Sequence, residues 1–282
     1  MKIAVGFFTH RFDSEVHARY LKLKTEAQGV DCYIVAEKGT PVPRSLHSET
    51  VFFDFEQIMD EVPAVYGDSL IPGNCHLTML SFQEKFPNYD AYWQVEYDVI
   101  FTGSWDILFD AFQGNDSDLL APHLRTIDEE PDWAWWESLN LPLEYQNTSQ
   151  RRAFLPVYRI SKRGLKVVRE AVGKGASGHF EALIPTLLGA SRLQINDLGA
   201  GRFYTSSQAP HGSLILGTMR YRPAHYFPAL ARNYLYHPVK IGTPWPNRED
   251  VGALLFYFCK TPLHALKDML RSAIAVVKSR LA

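Results

Sequence analysis

Apolar positions in this chain gather into short runs of strand length. Between them lie stretches in which apolar residues recur every three or four positions. The run at 2–8 (KIAVGFF) predicts a first buried strand, closed by a loop at Thr9, His10 and Arg11. Asp13 or Ser14 is suited to cap a helix over 15–28, which Gly29 stops, and 30–36 (VDCYIVA) predicts a second strand. Strand, helix, strand at this spacing is a βαβ unit, which implies a parallel pair with a right-handed crossover. A third strand is predicted at 50–55 (TVFFDF), carrying Asp54, and a helix over 72–86 ends before Pro87.

That helix delivers the chain into 89–103 (YDAYWQVEYDVIFTG), an aromatic and β-branched run that ends on two carboxylates, Glu96 and Asp98. Alternation puts both on one face of a strand, where they repel each other unless a cation or a basic group lies between them. A solvated strand end is the plain alternative. Beyond it, Ser104 caps a short helix over 105–112 and 118–121 forms a strand. The stretch 125–150 is acidic and Trp-rich, an excursion outside the sheet. Its indoles, Trp135 and Trp136 among them, either stack on a sugar face or staple the loop to the core. Strand character returns at 154–160, Ser161 caps a helix over 162–172, and a Gly-rich turn leads to a helix opened by His179, Phe180 and Glu181, despite Pro185. A short strand follows at 193–195. The stretch 201–246 is loop-rich and contains NYLYHPVK, with His237 and Lys240, and Thr261-Pro262 starts a last helix. These elements predict one α/β domain with a mainly parallel central sheet flanked by helices, inserted loops and a C-terminal helix.

Composition narrows the function classes. The 282 residues are 46% hydrophobic, enough for a large core. A net charge of −2 carries no basic signature for nucleic acid. Cys32, Cys75 and Cys259 show no metal-type spacing, which points to a reducing compartment rather than a disulfide framework or a zinc site. No G-x-G-x-x-G or P-loop follows any predicted strand, disfavouring a Rossmann dinucleotide site and a Walker ATPase. With no signal-type leader and no long apolar span, the expected location is cytoplasmic. In the last helix, Leu266, Leu270, Ala273, Val277 and Leu281 form an apolar stripe beside Lys267, Arg271 and Lys278. Such a stripe docks on the protein body or lies on an anionic membrane surface, here the inner face.

The order YWQVEYDVIFTG, then GHFEALIPTLL, then NYLYHPVK resembles the GT-A class of nucleotide-sugar glycosyltransferases, with E-Y-D in place of D-x-D. The resemblance covers most of residues 1–240. It implies a GT-A-like domain over 1–260, with 1–103 as a nucleotide-binding half and 104–260 as an acceptor half, followed by an amphipathic helix at 261–282. It implies Mn²⁺ or Mg²⁺ on Asp98 and His237, with Glu96 nearer the ribose or a water on the metal. Lys240 would face the diphosphate, and Thr9, His10, Arg11 and Asp54 the nucleotide. Glu181 would be the base for an acceptor hydroxyl in an inverting displacement, a retaining outcome being the alternative since no sequence feature fixes stereochemistry, with Trp135, Trp136 and His179 on the acceptor side. Structural alternatives stand beside these roles: His237 packed in a turn, and Glu181 and Asp54 as helix or strand-end caps. Arg151, Arg152 and Arg159 are candidate phosphate or acceptor contacts, with a solvated face as their alternative. The implied partners are a nucleotide-diphosphate sugar and a glycan or lipid-linked glycan. The rival classes are a nucleotidyltransferase and a carbohydrate-binding protein without metal.

Overall fold

The computed structural model describes residues 1–204, 218–221 and 233–239. Lys240, Cys259 and the last helix at 261–282 lie outside the described residues. In chain order the strands are β1 (Ile3–Thr9), β2 (Asp31–Glu37), β3 (Thr50–Phe53), β4 (Ala91–Glu96), β5 (Ile100–Phe101), β6 (Leu119–Ala121), β7 (Arg125–Thr126), β8 (Arg151–Arg152), β9 (Val157–Ser161), β10 (Ile195–Asp197) and β11 (Leu235–Tyr236). The α-helices are α1 (Ser14–Glu26), α2 (Phe55–Glu61), α3 (Cys75–Lys85), α4 (Trp105–Asp110), α5 (Lys162–Gly173) and α6 (Phe180–Ala190). Contacts divide the chain into two units. The first comprises Met1–Tyr97 and Phe112–Leu198, and the second Asp98–Ala111 with the residues after Leu198.

The first unit is built on a seven-stranded sheet in the order β10-β6-β9-β4-β1-β2-β3. All of its pairings are parallel except the two made by β9, so the α/β class with a mainly parallel sheet holds. Helices cover both faces, and β1 is accordingly buried at every position rather than alternating. On one face Phe8, Tyr92, Tyr158 and Ile160 pack with Phe82 of α3, Leu165 of α5 and Ile184 and Leu188 of α6. On the other, Phe7 meets Tyr20 of α1 at 5.6 Å. Two rings pack over Gly6, and a Cβ there would sit 2.6 Å from Phe8 of the same strand and 3.0 Å from Phe82 of α3. Asp13 caps α1 by accepting from the N–H groups of Glu15 and Val16, and Ser161 caps α5 through Gly164.

Several elements shift from their predicted bounds. The strand predicted at 50–55 ends at Phe53, because Asp54 caps α2, a helix not anticipated. The helix predicted from 72 begins at Cys75. Asn74, fully buried, spends its side chain on Tyr66 N–H, Tyr66 C=O and Ser69 C=O instead of joining a regular turn. The strand predicted from 154 begins at Val157, because the N–H groups of Ala153 and Leu155 go to Glu181 and that of Phe154 to Pro122. The last predicted strand sits at Ile195–Asp197 rather than 193–195.

In the second unit, β5 pairs antiparallel with β11, with Tyr236 opposite Ile100 and Leu235 opposite Phe101. Thr102 and Tyr234 exchange hydrogen bonds beyond them, at 3.0 Å from Thr102 N–H to Tyr234 C=O and 2.9 Å from Tyr234 N–H to Thr102 Oγ1. A Cβ at Gly103 would fall 2.3 Å from the Asn233 side-chain oxygen, so this turn accepts only glycine without rearrangement.

Candidate active site

The β5–β11 register brings two predicted ligands to one end of that ladder. Asp98 lies two residues before Ile100, His237 one residue after Tyr236, and Val239 N–H closes on Asp98 C=O at 2.8 Å. His237 Nδ1 faces the Arg220 carbonyl at 2.9 Å, and its Nε2 faces Asp98 Oδ1 at 3.5 Å. A carbonyl accepts only, so Nδ1 carries the hydrogen. In a neutral imidazole Nε2 then presents a lone pair to a carboxylate oxygen. Two electron-rich atoms so placed call for a proton or a cation between them. Both side chains are buried, Asp98 at 1% exposure and His237 at 9%, which raises the cost of leaving the charge uncompensated. Anchoring the far ring nitrogen on a backbone carbonyl is also how proteins orient a metal-ligating histidine. The donor set, one carboxylate and one imidazole, fits Mn²⁺ and also suits Mg²⁺ through its oxygen.

In the first unit, the sheet reverses its direction of growth between β1 and β4, since β2 and β3 extend one edge and β9, β6 and β10 the other. Ligands of open α/β sheets sit at the carboxyl ends of strands at such a switch point. Phe8 is in register with Glu96, so the Thr9–Arg11 loop and Glu96 leave the sheet side by side. His10 is exposed and sets its ring edge-on to Tyr97 at 4.9 Å. Thr9 is buried and hydrogen-bonds with the backbone of Arg11, whose Nε donates to Asp13 at 2.9 Å. Asp54 lies elsewhere, as the α2 cap: it accepts from Gln57 N–H at 3.3 Å and from Lys38 at 3.4 Å. These two contacts hold its carboxyl below the usual range, the backbone bond first.

Glu181 stands in the first turn of α6, 3% exposed, and its Oε1 accepts from Leu155 N–H at 3.1 Å. His179 is the α6 cap, its Nδ1 accepting from Glu181 N–H at 3.4 Å. Its ring is stacked against Trp135 (centroids 4.8 Å apart) and Phe180 (5.4 Å), with Trp133 edge-on at 5.6 Å. Burial, with the Arg152 charge second, lowers its pKa to about 4, so it is neutral near pH 7. Half-buried Trp135 also meets Tyr66 at 6.2 Å.

Trp136 does not present an open indole. It is 5% exposed and donates its ring N–H to the Glu130 carbonyl at 2.8 Å, so it staples the loop. Arg152 is tied to Glu130 and lies over the Trp133 ring at 5.1 Å. Arg159, expected on a solvated face, is 1% exposed and binds the carbonyls of Phe112, Asn115 and Ser117.

The sequence reading passed over Gln94 and Arg220. Gln94 lies two residues before Glu96, so strand alternation alone puts it on the carboxylate's face. Arg220 acts through its main-chain carbonyl, for which no side-chain signal exists.

No protein-family model and no curated protein matches the chain. Among solved structures it is similar to mouse xyloside xylosyltransferase 1 in its apo form. The identity is 11% over 87% of this chain and 99% of that one, with a TM-score of 0.43. It is similar to glucosyl-3-phosphoglycerate synthase from Mycobacterium tuberculosis, solved with Mn²⁺, uridine diphosphate and phosphoglyceric acid. There the identity is 14% over 71% of this chain and 69% of that one, with a TM-score of 0.40. The inositol-1-phosphate CTP transferase from T. maritima matches at 12% over 71% of this chain and 86% of that one, with a TM-score of 0.36. At these identities and TM-scores the likenesses carry no argument about activity, and the α/β class rests on the strand pairing itself.

Proposed function

We propose that this chain is a metal-dependent glycosyltransferase that moves a sugar from a nucleotide-diphosphate donor to a hydroxyl of a glycan or lipid-linked glycan. The observation that carries the reading is the Asp98–His237 pair, with Nδ1 of the imidazole anchored on Arg220 C=O and Nε2 turned to the carboxylate. Asp98 and His237 would hold Mn²⁺ or Mg²⁺, which when bound supplies Lewis acidity to the departing diphosphate. Thr9, His10 and Arg11 take the nucleotide at the switch point, Glu96 its ribose, and Lys240 the diphosphate. Glu181 takes the proton of the acceptor hydroxyl, a role that needs hydrogen-bond reach to that hydroxyl on the side away from the leaving group, and the outcome is inversion. Trp135 and His179 form the aromatic side of the acceptor region. Among the described residues no helix is long and apolar enough to cross a membrane. A cytoplasmic enzyme, with the last helix resting on the inner membrane face, is part of the proposal.

The test is a thermal-shift screen of nucleoside diphosphates and their sugars, with and without Mn²⁺, on wild type and Asp98→Asn. Metal-dependent stabilisation by one nucleotide, lost in Asp98→Asn, is expected. No metal-dependent shift with any nucleotide overturns the reading. Incubation with the selected nucleotide sugar and a glycan acceptor then separates the rivals: a transferase releases nucleoside diphosphate, a nucleotidyltransferase forms or consumes pyrophosphate.

A further inference from the structure

We propose that Gln94 is a positioning residue of this site: its side-chain amide ties Glu96 and the backbone that carries Glu181 into one hydrogen-bonded support. The inference rests on the roles given above to Glu96 and Glu181.

The segment 153–156 lies between β8 and β9 and belongs to neither. Glu181 grips it twice. Its main-chain carbonyl accepts from Ala153 N–H at 2.9 Å, and its carboxylate from Leu155 N–H at 3.1 Å. The carbonyl is available because Pro185, one helical turn on, has no N–H to give it. From the sheet side, Gln94 Nε2 donates to Leu155 C=O at 3.1 Å and lies 3.4 Å from Glu96 Oε1. Glu96 N–H reaches the same segment, donating to Pro156 C=O at 2.9 Å. Glu96 and Glu181 are thus held to one short piece of backbone, with Gln94 between them.

Chemistry fixes which residue can stand at this position. The amide faces a carbonyl and a carboxylate, both acceptors, so only its NH₂ end can be turned to them. A glutamate of the same shape would oppose a carbonyl oxygen and a second carboxylate. A second observation bears on the same position. Gln94 is 2% exposed and Tyr158, its cross-strand neighbour, fully buried. Yet Gln94 Oε1 and Tyr158 Oη have no hydrogen-bond partner. A core position selected for stability alone satisfies its polar atoms or omits them. Here the amide is held for its donor end.

The experiment uses the full chain with Gln94→Met, which keeps the reach and removes the donors, and Gln94→Glu, which keeps the shape and inverts the charge pattern. The probe is the nucleotide sugar giving the largest Mn²⁺-dependent shift in the screen above. Both variants are expected to keep that shift. In both, kcat falls about ten- to a hundredfold, more for Gln94→Glu, while KM for the donor moves less than about threefold. Amide exchange at residues 153–155 should accelerate about tenfold in both, with the β1–β4 ladder still protected. Unchanged kcat in a folded variant, or unchanged exchange at 153–155 in both variants, overturns the proposal. A wild type that no nucleotide stabilises overturns the glycosyltransferase reading itself. The exchange measurement, which needs no substrate, then decides separately whether Gln94 supports this segment.

Discussion

Pro185 leaves the carbonyl of Glu181 without its helical donor, and Ala153 N–H takes the place at 2.9 Å. A proline inside a helix ordinarily costs about 3 kcal/mol relative to alanine. Pro185→Ala is expected to recover less than about half of that in a urea titration, because the new N–H competes with Ala153 for one carbonyl. A gain of the full amount would show that the Ala153 contact contributes nothing.

Changing Glu181 should separate its chemistry from its packing. Glu181→Gln keeps an acceptor for Leu155 N–H, so its melting temperature stays close to wild type while turnover falls at least about a hundredfold. Glu181→Leu leaves that buried N–H unsatisfied and should cost about 1–3 kcal/mol as well. Full turnover in Glu181→Gln would remove it as the base.

The proposed metal pair would have its own pH signature. Both Asp98 and His237 must be deprotonated to bind a cation, so Mn²⁺ affinity is expected to decline as the solution is acidified. Isothermal titration across pH should also show His237→Ala weakening Mn²⁺ at least about tenfold. Equal affinity in wild type and His237→Ala would take the imidazole out of the ligand set.

Of the buried histidines, His76 and His179 have lowered pKa values that weaken stability in acid. Burial moves His76 from 6.5 to about 4, and His179 is lowered to about 4 by burial and by Arg152. The unfolded chain therefore binds more protons than the folded one between these values. Stability is complete above pH 6.5, falls as pH drops toward 4, and flattens below. Each displacement is worth on the order of 3 kcal/mol. His76→Gln should remove one share, seen as a shallower fall of melting temperature with acid; an unchanged slope would contradict its neutral state.

The described thiols should be unreactive. Burial pushes Cys32 up to about 12 and Cys75 higher still, so neither supplies thiolate near neutral pH. In a Cys259→Ser background, iodoacetamide at about pH 8 should modify neither until denaturant is added. Rapid native labelling would contradict this.

Much of the first unit was legible because its signals are local. The apolar run of β1, the Asp13 and Ser161 caps and the strand ending on Glu96 each follow from a few adjacent residues. The antiparallel direction of β9 was not, since a run such as 157–161 reads alike in either direction. Asp54 shows the ambiguity of a carboxylate at a strand end, which serves equally as ligand or cap; here it caps α2. Asp98 and His237 were singled out separately, but their meeting depends on β5 pairing with β11, a contact between distant segments that no local pattern encodes. The choice for Trp136 between stacking on a sugar and stapling its loop was left open, because the Glu130 carbonyl that receives its N–H carries no side-chain signature.

The second unit is assembled from two separated stretches of chain, and this sets an order on biosynthesis. Every strand of the seven-stranded sheet has been translated by Asp197, whereas β11 comes at Leu235–Tyr236. A nascent chain therefore carries β5 without its pairing partner while the sheet completes. Phe101, whose ring later meets Phe203 at 6.2 Å, lacks that contact until residue 203 has been made. Asp98 leaves the ribosome long before the imidazole that faces it, so the 3.5 Å approach of the two side chains forms only once synthesis has passed His237.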